Sequence, residues 1–313
     1  MKYKKRRFIP GECMHVYQRA VNGVNVFYDL EDYLVFYTIF SVIVRQYEVA
    51  VLELCIMIDH VHILFSSVSL DAIWKFIRHY TSVFVREYND GVGRKGALFH
   101  KSFGSAPKKG SKAIRSAIIY IGNNPVEKGL SVDAAGYMWN FLSYIPRLCD
   151  KHVFSHGIPA RHMRGKLRQA LSEVSASNDA SLYLGYGRLR RLLKGLDENE
   201  RRVLVDHIVM TYWPFDEDML LSYFDDYESM LVAMKSTSGS EYDIKERFYS
   251  GSDVCYREMM DLLKSEQVGD VYGLDNQMRR VTVLPAEEKA YVAELLQRYT
   301  SASPGRIRKF LHF

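Results

Sequence analysis

The chain has 313 residues, of which 48% are hydrophobic and 25% charged, and its formal net charge is +5. This composition is typical of a globular protein with a sizeable core, and it excludes collagen-like, low-complexity and intrinsically disordered chains. The longest apolar run, residues 34–44, falls well short of the roughly 20 residues that a membrane-spanning helix needs.

The start of the chain and the spacing of its cysteines bear on its location. Residues 1–7 are basic, but a Phe-Ile-Pro-Gly sequence at 8–11 follows where a secretory signal needs an apolar stretch. The four cysteines lie far apart and form no C-x-x-C pair, which argues against structural disulfides and against a cysteine zinc site. We therefore expect a soluble cytoplasmic protein without a membrane partner.

Charge is distributed unevenly along the chain. Residues 1–170 contain 24 Lys and Arg against 13 Asp and Glu, whereas the remaining residues contain 18 against 24. A polyanionic partner such as a nucleic acid would therefore meet the first half. A solvated basic surface has the same composition, so charge alone leaves both interpretations open.

The first elements of the chain are predicted to be strand, helix, strand, strand. Residues 13–22 mix β-branched, aromatic and polar types before an Asn-Gly turn, and residues 30–47 place apolar side chains at helical spacing. The almost continuous apolar run at 49–58 is typical of a strand buried on both faces. Asp59 interrupts this run before a strand at 60–65, so we predict a hairpin-like pair at the centre of the sheet.

Two more helices and one more strand complete the first half. A second helix, capped by Ser69, is predicted to about residue 88, and a short strand at 97–105 follows. The basic loop 107–112 leads into a third helix, 112–123, which Pro125 is expected to stop. The order β-α-β-β-α-β, then a helix, predicts a ferredoxin-like α+β fold with an antiparallel sheet.

The sequence beyond residue 150 is more polar and mostly helical. We therefore predict two domains, residues 1–150 and a helical extension, residues 151–313. Near its end, helix 286–299 is joined by a tight turn to a short helix that Ser303 caps. This arrangement fits a DNA-binding helix-turn-helix over about residues 284–313, and it fits a plain helical pair as well. Three cations lie on the last helix: Arg306, Arg308 and Lys309.

Two histidines in the predicted strand 60–65 form the first candidate site. His60 and His62 are two residues apart, so on a strand both imidazoles point to the same face. Two adjacent imidazoles can hold a divalent metal ion. The H-x-H pattern also arises by chance, and taken alone it is more often a pair of structural histidines.

The third predicted helix carries the second candidate site. Tyr120 lies away from the apolar stripe of this helix, and Asn124 lies one turn further along on the same flank. The Tyr120 phenol and the Asn124 amide thus face one region. Taken alone, however, this segment is interpreted more simply as an exposed tyrosine followed by an asparagine at the end of a helix. The apolar stripe consists of Ile114, Ala117, Ile118 and Ile121.

Taken together, these segments resemble the HUH single-tyrosine transposases, and in particular the REP-associated tyrosine transposases of the IS200-like family. The resemblance covers about residues 10–145, and the helical extension is similar to that of the longer members. Each motif is weak alone, but their order along the chain is specific. The motifs are His60-Val-His62, Tyr120-Ile-Gly-Asn-Asn124-Pro-Val, Lys128-Gly-Leu130, Val16-Tyr-Gln-Arg19, Asn22-Gly-Val-Asn-Val-Phe27 and Tyr80-Thr-Ser-Val-Phe84.

The resemblance implies a role for each matching residue. His60 and His62 would be paired metal ligands, Tyr120 the nucleophile, and Asn124 the polar side chain that completes the metal site. The family usually has Asn before the first histidine, where this chain has Asp59. A carboxylate at this position could tighten metal binding or repel the phosphate, and the sequence does not decide between these effects.

The implied chemistry is an exchange of phosphodiester bonds in DNA. A phenol with an ordinary pKa of about 10 is a poor nucleophile at neutral pH, and a nearby Mg²⁺ or Mn²⁺ would assist its attack. Attack by Tyr120 would leave a 5′-phosphotyrosine, so religation needs no ATP. We expect single-stranded or hairpin DNA as the partner, and the resemblance allows a homodimer. The predicted contacts to the DNA backbone are Arg19, Lys101, Lys108, Lys109, Lys112 and Arg115.

Three other functions share part of this residue pattern. The main alternative is a catalytically silent DNA-binding protein or repressor derived from a transposase, but such a protein has no need of the complete residue set. The Asn-Pro-Val segment and the short chain argue against a replication-type nickase, and no third His or Cys is suitably spaced for a zinc hydrolase. Tyr80 is a rival nucleophile, but its position in an amphipathic helix predicts a core residue.

Overall fold

The computed structural model describes residues 7–145, 153–236, 253–265, 274 and 277–313. The predicted boundary between the two domains, at residues 150 and 151, lies outside these described residues. The division of the chain at that point therefore stays a prediction. The basic segment at 1–6 and Cys149 also lie outside the described part of the chain.

A four-stranded antiparallel sheet forms the centre of the first half. Its strands are β1 (Cys13–Arg19), β2 (Ala50–Ile56), β3 (His60–Ser66) and β4 (Gly104–Lys108), in the spatial order β2-β3-β1-β4. Every neighbouring pair is antiparallel. With its helices, this sheet confirms the predicted ferredoxin-like α+β fold.

The predicted pairing of β2 with β3 is confirmed, and β3 is central as predicted, but the predicted central place of β2 is wrong. β1 and β3 are the central strands, and β2 is an edge strand. β2 is nevertheless buried on both faces. The backbone N–H of Asp216 donates to the Val51 carbonyl at 2.8 Å, so a segment of the C-terminal half covers the edge. Burial on both faces therefore does not distinguish a central strand from a covered edge strand.

Three helices accompany the sheet: α1 (Leu30–Val44), α2 (Leu70–Val92) and α3 (Gly110–Glu127). A capping box formed by Asp29 and Asp32 begins α1, which ends three residues before the predicted position. Ser69 caps α2 as predicted, by accepting a hydrogen bond from the Ala72 N–H at 3.1 Å. α2 continues to Val92 and ends at Gly93, whose left-handed φ of +71° suits glycine.

The two faces of the sheet carry different side chains. Met14 and Val16 of β1 and Ile63 of β3 pack in one apolar cluster that also contains α1 and α2 side chains. Successive side chains of a strand alternate between faces. Cys13 and Leu64 accordingly belong to a second cluster, which is shared with α3. We call these the core face and the α3 face of the sheet.

Both predicted boundaries around α3 require correction. The last strand is at Gly104–Lys108 rather than at 97–105, so Pro107 lies in a strand and not in a loop. Among the described strands β4 pairs with β1 alone, and an edge strand tolerates a residue without an N–H. Pro125 does not stop α3, which continues to Glu127. Pro125 lies only two residues before the end of α3, so nearly the whole helix precedes the position at which proline removes a backbone N–H donor.

The C-terminal half is helical, as predicted. No helix among the described residues is both long and apolar enough to span a membrane. The last two helices agree with the predicted ones, with Ser303 at the N-cap position and Pro304 at the first helical position. The helices are α4 (Gly165–Asp179), α5 (Tyr186–Leu193), α6 (Glu198–Thr211), α7 (Glu217–Leu221), α8 (Tyr227–Ser236), α9 (Val254–Lys264), α10 (Ala286–Tyr299) and α11 (Pro304–Leu311).

A buried ion pair joins the C-terminal half to the start of α1. The Arg279 guanidinium donates to Asp32 at 3.1 Å, and both side chains are almost completely buried. The Tyr186 hydroxyl donates to the same carboxylate at 2.9 Å, and its ring lies under the guanidinium of Arg279. Asp32 also accepts the Tyr28 and Asp29 N–H groups, so one carboxylate both begins α1 and binds the C-terminal half.

Candidate functional site

β3 presents its two histidines on the α3 face of the sheet. His60 lies opposite Arg19 of β1, and His62 lies opposite Tyr17. The imidazole centroids of His60 and His62 are 4.9 Å apart, and the planes of the rings are nearly perpendicular. The exposed fractions of His60 and His62 are only 4% and 0%. The predicted placement of both imidazoles on one face of a strand agrees with this geometry.

Each histidine has its Nδ1 held by another side chain. Nδ1 of His60 lies 2.5 Å from the Asp59 carboxylate, and Nδ1 of His62 lies 2.9 Å from Nε2 of His15. When one imidazole nitrogen is held in this way, the other nitrogen becomes the metal-ligating atom. In both rings that atom is Nε2. Asp59, whose effect the sequence left open, is thus engaged with His60.

α3 brings Tyr120 and Asn124 to the same place. The Tyr120 ring centroid is 5.7 Å from that of His62 and 5.8 Å from that of His15. The Asn124 amide nitrogen lies 3.3 Å from Nε2 of His62. The structure therefore brings together all four side chains that the sequence suggested for the metal and the nucleophile, and it does so within one chain.

Tyr120 is more deeply buried than its position away from the apolar stripe suggested. Its exposed fraction is 3%, and it belongs to the cluster that α3 shares with the sheet. The same cluster includes Phe224, Met230 and Met234 from the C-terminal half. Because α3 is covered both by the sheet and by these residues, a single apolar stripe does not describe what it buries.

The donor set fits a hard divalent cation. Asn124 Oδ1 is buried and has no hydrogen-bond partner among the described residues. In this conformation the amide N–H faces His62 Nε2, and a half-turn of the amide would bring the oxygen to the same position beside that nitrogen. Two neighbouring ligands of an octahedral Mg²⁺ lie about 3 Å apart, close to this separation. No group of three or more His, Cys, Asp and Glu in the described residues could hold a metal, so the amide would have to complete the site.

The protonation of these groups suits the same role. Burial lowers the pKa of His62 well below its usual value, and the charges of His60, His15 and Arg19 lower it further. A metal-ligating imidazole must be neutral, and His62 is therefore neutral at pH 7. Burial raises the pKa of Asp59, but the charge of His60 and its hydrogen bond lower it more, so the net pKa is below the usual value.

The cations predicted to contact DNA fall into three environments. Arg19 is half-buried beside the histidines, and its guanidinium Nε is buried without a hydrogen-bond partner among the described residues. Lys108 was predicted to lie in a surface loop, but it is 2% exposed on β4, so it is not available to a DNA backbone at the surface. The remaining predicted cations are exposed: Lys101, Lys109, Lys112 and Arg115.

His15 belongs to the site, and the sequence interpretation missed it. This residue is completely buried, contacts His62, and lies close to Tyr120. The alternation Cys13, His15, Tyr17 along a predicted strand could have placed it on one face. His15 lies on the same face of the sheet as His62 because β1 pairs with β3. A local sequence pattern does not predict which strands pair.

The C-terminal half lies directly against the helix that carries Tyr120. The Asn123 amide donates to the Met234 carbonyl at 2.5 Å, and the Met234 side chain fills the space beside Gly122. The Asp253 N–H donates to the Lys128 carbonyl at 2.7 Å, and Asp253 is also paired with Arg306 at 2.8 Å. Arg306, one of the cations of the predicted helix-turn-helix, is therefore engaged within the protein.

Three comparisons with known proteins bear on this site. Residues 14–124 match the model of a family described as "Transposase IS200 like". One similar solved structure is described as "Structure of the REP associates tyrosine transposase bound to a REP hairpin"; it is 14% identical, the match covers 52% of this chain and 98% of that chain, and the TM-score is 0.39. No curated protein matches. The match to this family, which the sequence resemblance predicted, thus covers the segment that contains both histidines, Tyr120 and Asn124.

Proposed function

We propose that this protein is a single-tyrosine DNA strand transferase, in which Tyr120 forms a covalent bond with a DNA 5′-phosphate. The observation that carries the proposal is the convergence of Tyr120, His62 and Asn124, with 5.7 Å between the Tyr120 and His62 rings and 3.3 Å between the Asn124 amide and the imidazole. A phenol beside two imidazoles and an amide has the groups that a metal-assisted transesterification requires.

His60, His62 and Asn124 would hold a Mg²⁺ or Mn²⁺ ion, which neutralises charge on the scissile phosphate when bound. Tyr120 Oη attacks the phosphorus, the bond from phosphorus to the 3′ oxygen breaks, and a 5′-phosphotyrosine forms. The phenol loses a proton and the departing 3′ oxygen gains one. Reversal of these steps with another 3′-hydroxyl rejoins DNA without an external energy source.

Single-stranded or hairpin DNA is the substrate that we propose. Because Tyr120 is enclosed between α3 and the sheet, we expect it to reach a phosphate in a distorted or unpaired strand rather than in regular duplex DNA. Arg19 lies beside the histidines and would balance the charge of the scissile phosphate. The exposed cations Lys109 and Lys112, at the start of α3, would contact the flanking backbone.

Access to the site requires a rearrangement. With Tyr120 3% exposed and His62 fully buried, no phosphodiester can contact the proposed atoms in this conformation. Among the described residues, α8 and Asp253 lie against α3. DNA binding would therefore displace part of the C-terminal half. Since all four side chains converge within one chain, the proposed chemistry does not require a second protomer, although the resemblance allows a homodimer.

The experiment is a covalent-adduct assay. The protein would be incubated with a labelled single-stranded DNA hairpin and Mn²⁺ and then analysed on a denaturing gel. We expect a labelled adduct with the unmodified protein, and none with Tyr120→Phe, which should still bind the hairpin. Tyr80→Phe is the matched control, because Tyr80 is a buried tyrosine of α2 whose hydroxyl donates to Gln18. An adduct that persists in Tyr120→Phe would place the nucleophile elsewhere.

The burial of Tyr120 favours one other function, that of a DNA-binding protein without catalysis. In that case the unmodified protein would bind the hairpin but form no adduct with Mg²⁺ or Mn²⁺. The same gel, run beside a native binding assay, distinguishes the two functions. Retention of His60, His62, Tyr120 and Asn124 in one place favours catalysis, since binding alone does not use them.

A further inference from the structure

We propose that His15 is a positioning residue, which holds the His62 imidazole in the tautomer that exposes Nε2 as the metal-ligating nitrogen. This inference rests on the proposed function, since it assigns a role in that same site. It adds a third histidine, from a different strand, to the two of the H-x-H pattern.

The contact between the two imidazoles is short and fully enclosed. His15 Nε2 lies 2.9 Å from His62 Nδ1, the ring centroids are 5.1 Å apart, and both residues are 0% exposed. A separation of 2.9 Å is that of a good hydrogen bond, so one of the two nitrogens carries the shared hydrogen. Because the contact is completely buried, the tautomer of one ring constrains the tautomer of the other.

The other side of the His62 ring selects one of the two arrangements. The Asn124 amide nitrogen lies 3.3 Å from His62 Nε2, and an amide N–H can only donate. His62 Nε2 is then the acceptor and carries no hydrogen. His62 Nδ1 therefore carries the hydrogen and donates it to His15 Nε2. The lone pair of His62 Nε2 is the one that a metal ion would take.

The two histidines of the H-x-H pattern are thus held by different partners. His60 Nδ1 contacts the carboxylate of Asp59, whereas His62 Nδ1 contacts a second imidazole. In metal sites, a partner on the second ring nitrogen fixes both the tautomer and the orientation of the ligand. Without an acceptor at position 15, the buried Nδ1–H of His62 would lose its partner, and the tautomer with hydrogen on Nε2, which blocks the ligating atom, would become more populated.

The tautomer can be read directly in the unmodified protein. Nitrogen-15 NMR of the full chain without metal distinguishes a protonated from a bare imidazole nitrogen, and loss of the signals in His62→Gln assigns the ring. We expect hydrogen on Nδ1 of His62 and a bare Nε2. Hydrogen on Nε2 would overturn the proposal, and this measurement needs no variant of His15.

Substitution of His15 tests the consequence for metal binding. His15→Phe keeps a ring but removes the acceptor, and His15→Gln offers an amide oxygen in its place. Mn²⁺ affinity, measured by electron paramagnetic resonance, should fall about 10- to 100-fold in His15→Phe and remain near that of the unmodified protein in His15→Gln. Equal affinities in all three proteins would overturn the role of His15, as would an equal loss in both variants.

The control is Val16→Ala, which removes buried volume from the next residue of β1 on the core face. It should lower the melting temperature without changing Mn²⁺ affinity. A loss of Mn²⁺ affinity in this control as well would show that the effect of the His15 substitution is one of stability.

The adduct assay separates this proposal from the proposed function. Mn²⁺ binding that depends on His15, without any adduct, would refute strand transfer only. An adduct with unchanged Mn²⁺ affinity in His15→Phe would refute the role of His15 only.

Discussion

The two faces of the sheet differ in what they bury. The core face carries apolar side chains such as Val16 and Ile63 against α1 and α2. The α3 face buries His15, His60 and His62, which are groups that an apolar interior disfavours. Residues 62 and 63 are neighbours in one strand, but their side chains point to opposite faces of the sheet. His62 therefore contributes to the proposed active site, whereas Ile63 contributes to the stability of the core. Buried imidazoles persist here because other side chains hold their nitrogens.

The C-terminal half contacts the protein near α1, on the core face, and near α3, on the other face. The two contacts are of different kinds. Near α1 it is attached by the buried pair of Arg279 and Asp32, and near α3 by the backbone contacts of Met234 and Asp253. Breaking a buried ion pair costs about 3–5 kcal/mol, whereas the contacts near α3 are single hydrogen bonds to backbone carbonyls, each contributing about 1 kcal/mol. The attachment near α1 therefore suits permanent assembly, and the contact near α3 suits a site that must open.

Neighbouring substitutions in β3 give the largest contrast between the two faces. We expect His62→Gln to reduce adduct formation by at least about 100-fold, because it removes a proposed metal ligand. Ile63→Ala should instead lower the free energy of unfolding by about 2–5 kcal/mol, since it leaves a cavity in the core face. The adduct gel and urea unfolding measure the two effects. Loss of the adduct in folded Ile63→Ala would contradict the separation of the faces.

The attachment near α1 can be broken by Arg279→Met. Removal of one partner leaves the Asp32 carboxylate buried without its cation, so the free energy of unfolding should fall by about 3–5 kcal/mol. Arg280→Met is the matched control, because Arg280 is exposed and adjacent in sequence, and it should change stability by less than about 0.5 kcal/mol. Similar stabilities of the two variants in urea would show that the pair does not hold the C-terminal half.

A pH titration of stability tests how the end of the chain is held, because His312 is buried there. Burial lowers the pKa of His312 to about 4, although a hydrogen bond to the Asn25 carbonyl opposes this shift. The unfolded chain therefore takes up the proton first, so stability is lost as the pH falls from about 6.5 towards about 4. His312→Asn, which suits the left-handed φ of +56°, should flatten this loss by about 1–3 kcal/mol. Identical pH profiles of unfolding in the two proteins would refute this assignment.

The smallest expected effect concerns the exposed cations near α3. Lys109→Ala should weaken hairpin binding only a few-fold, and it should reduce the slope of log affinity against log salt concentration by about 1. Lys194→Ala is the control, because Lys194 is an equally exposed lysine at the end of α5. Fluorescence anisotropy over a range of salt concentrations measures both slopes. Equal slopes for both variants would show that Lys109, at the start of α3, does not contact the DNA backbone.

Local patterns predicted the parts of the site that lie within one element. Two residues in a strand share a face, and four residues in a helix make one turn, so the pairs His60 with His62 and Tyr120 with Asn124 followed from spacing. The same reasoning failed for Tyr120 burial, for Lys108 and for the place of β2. Each of these depends on what packs against the element from a distant part of the chain.

The amino-acid sequence by itself determined the order of strands and helices in the first half, the helical character of the second half and the match of residues 14–124 to the IS200-like transposase family. Only the tertiary structure decided that His15 meets His62, that Asp59 is engaged with His60, and that α8 closes over α3. The physical reason is that periodicity reports which face of an element a side chain occupies. Strand pairing and long-range packing decide what that face meets.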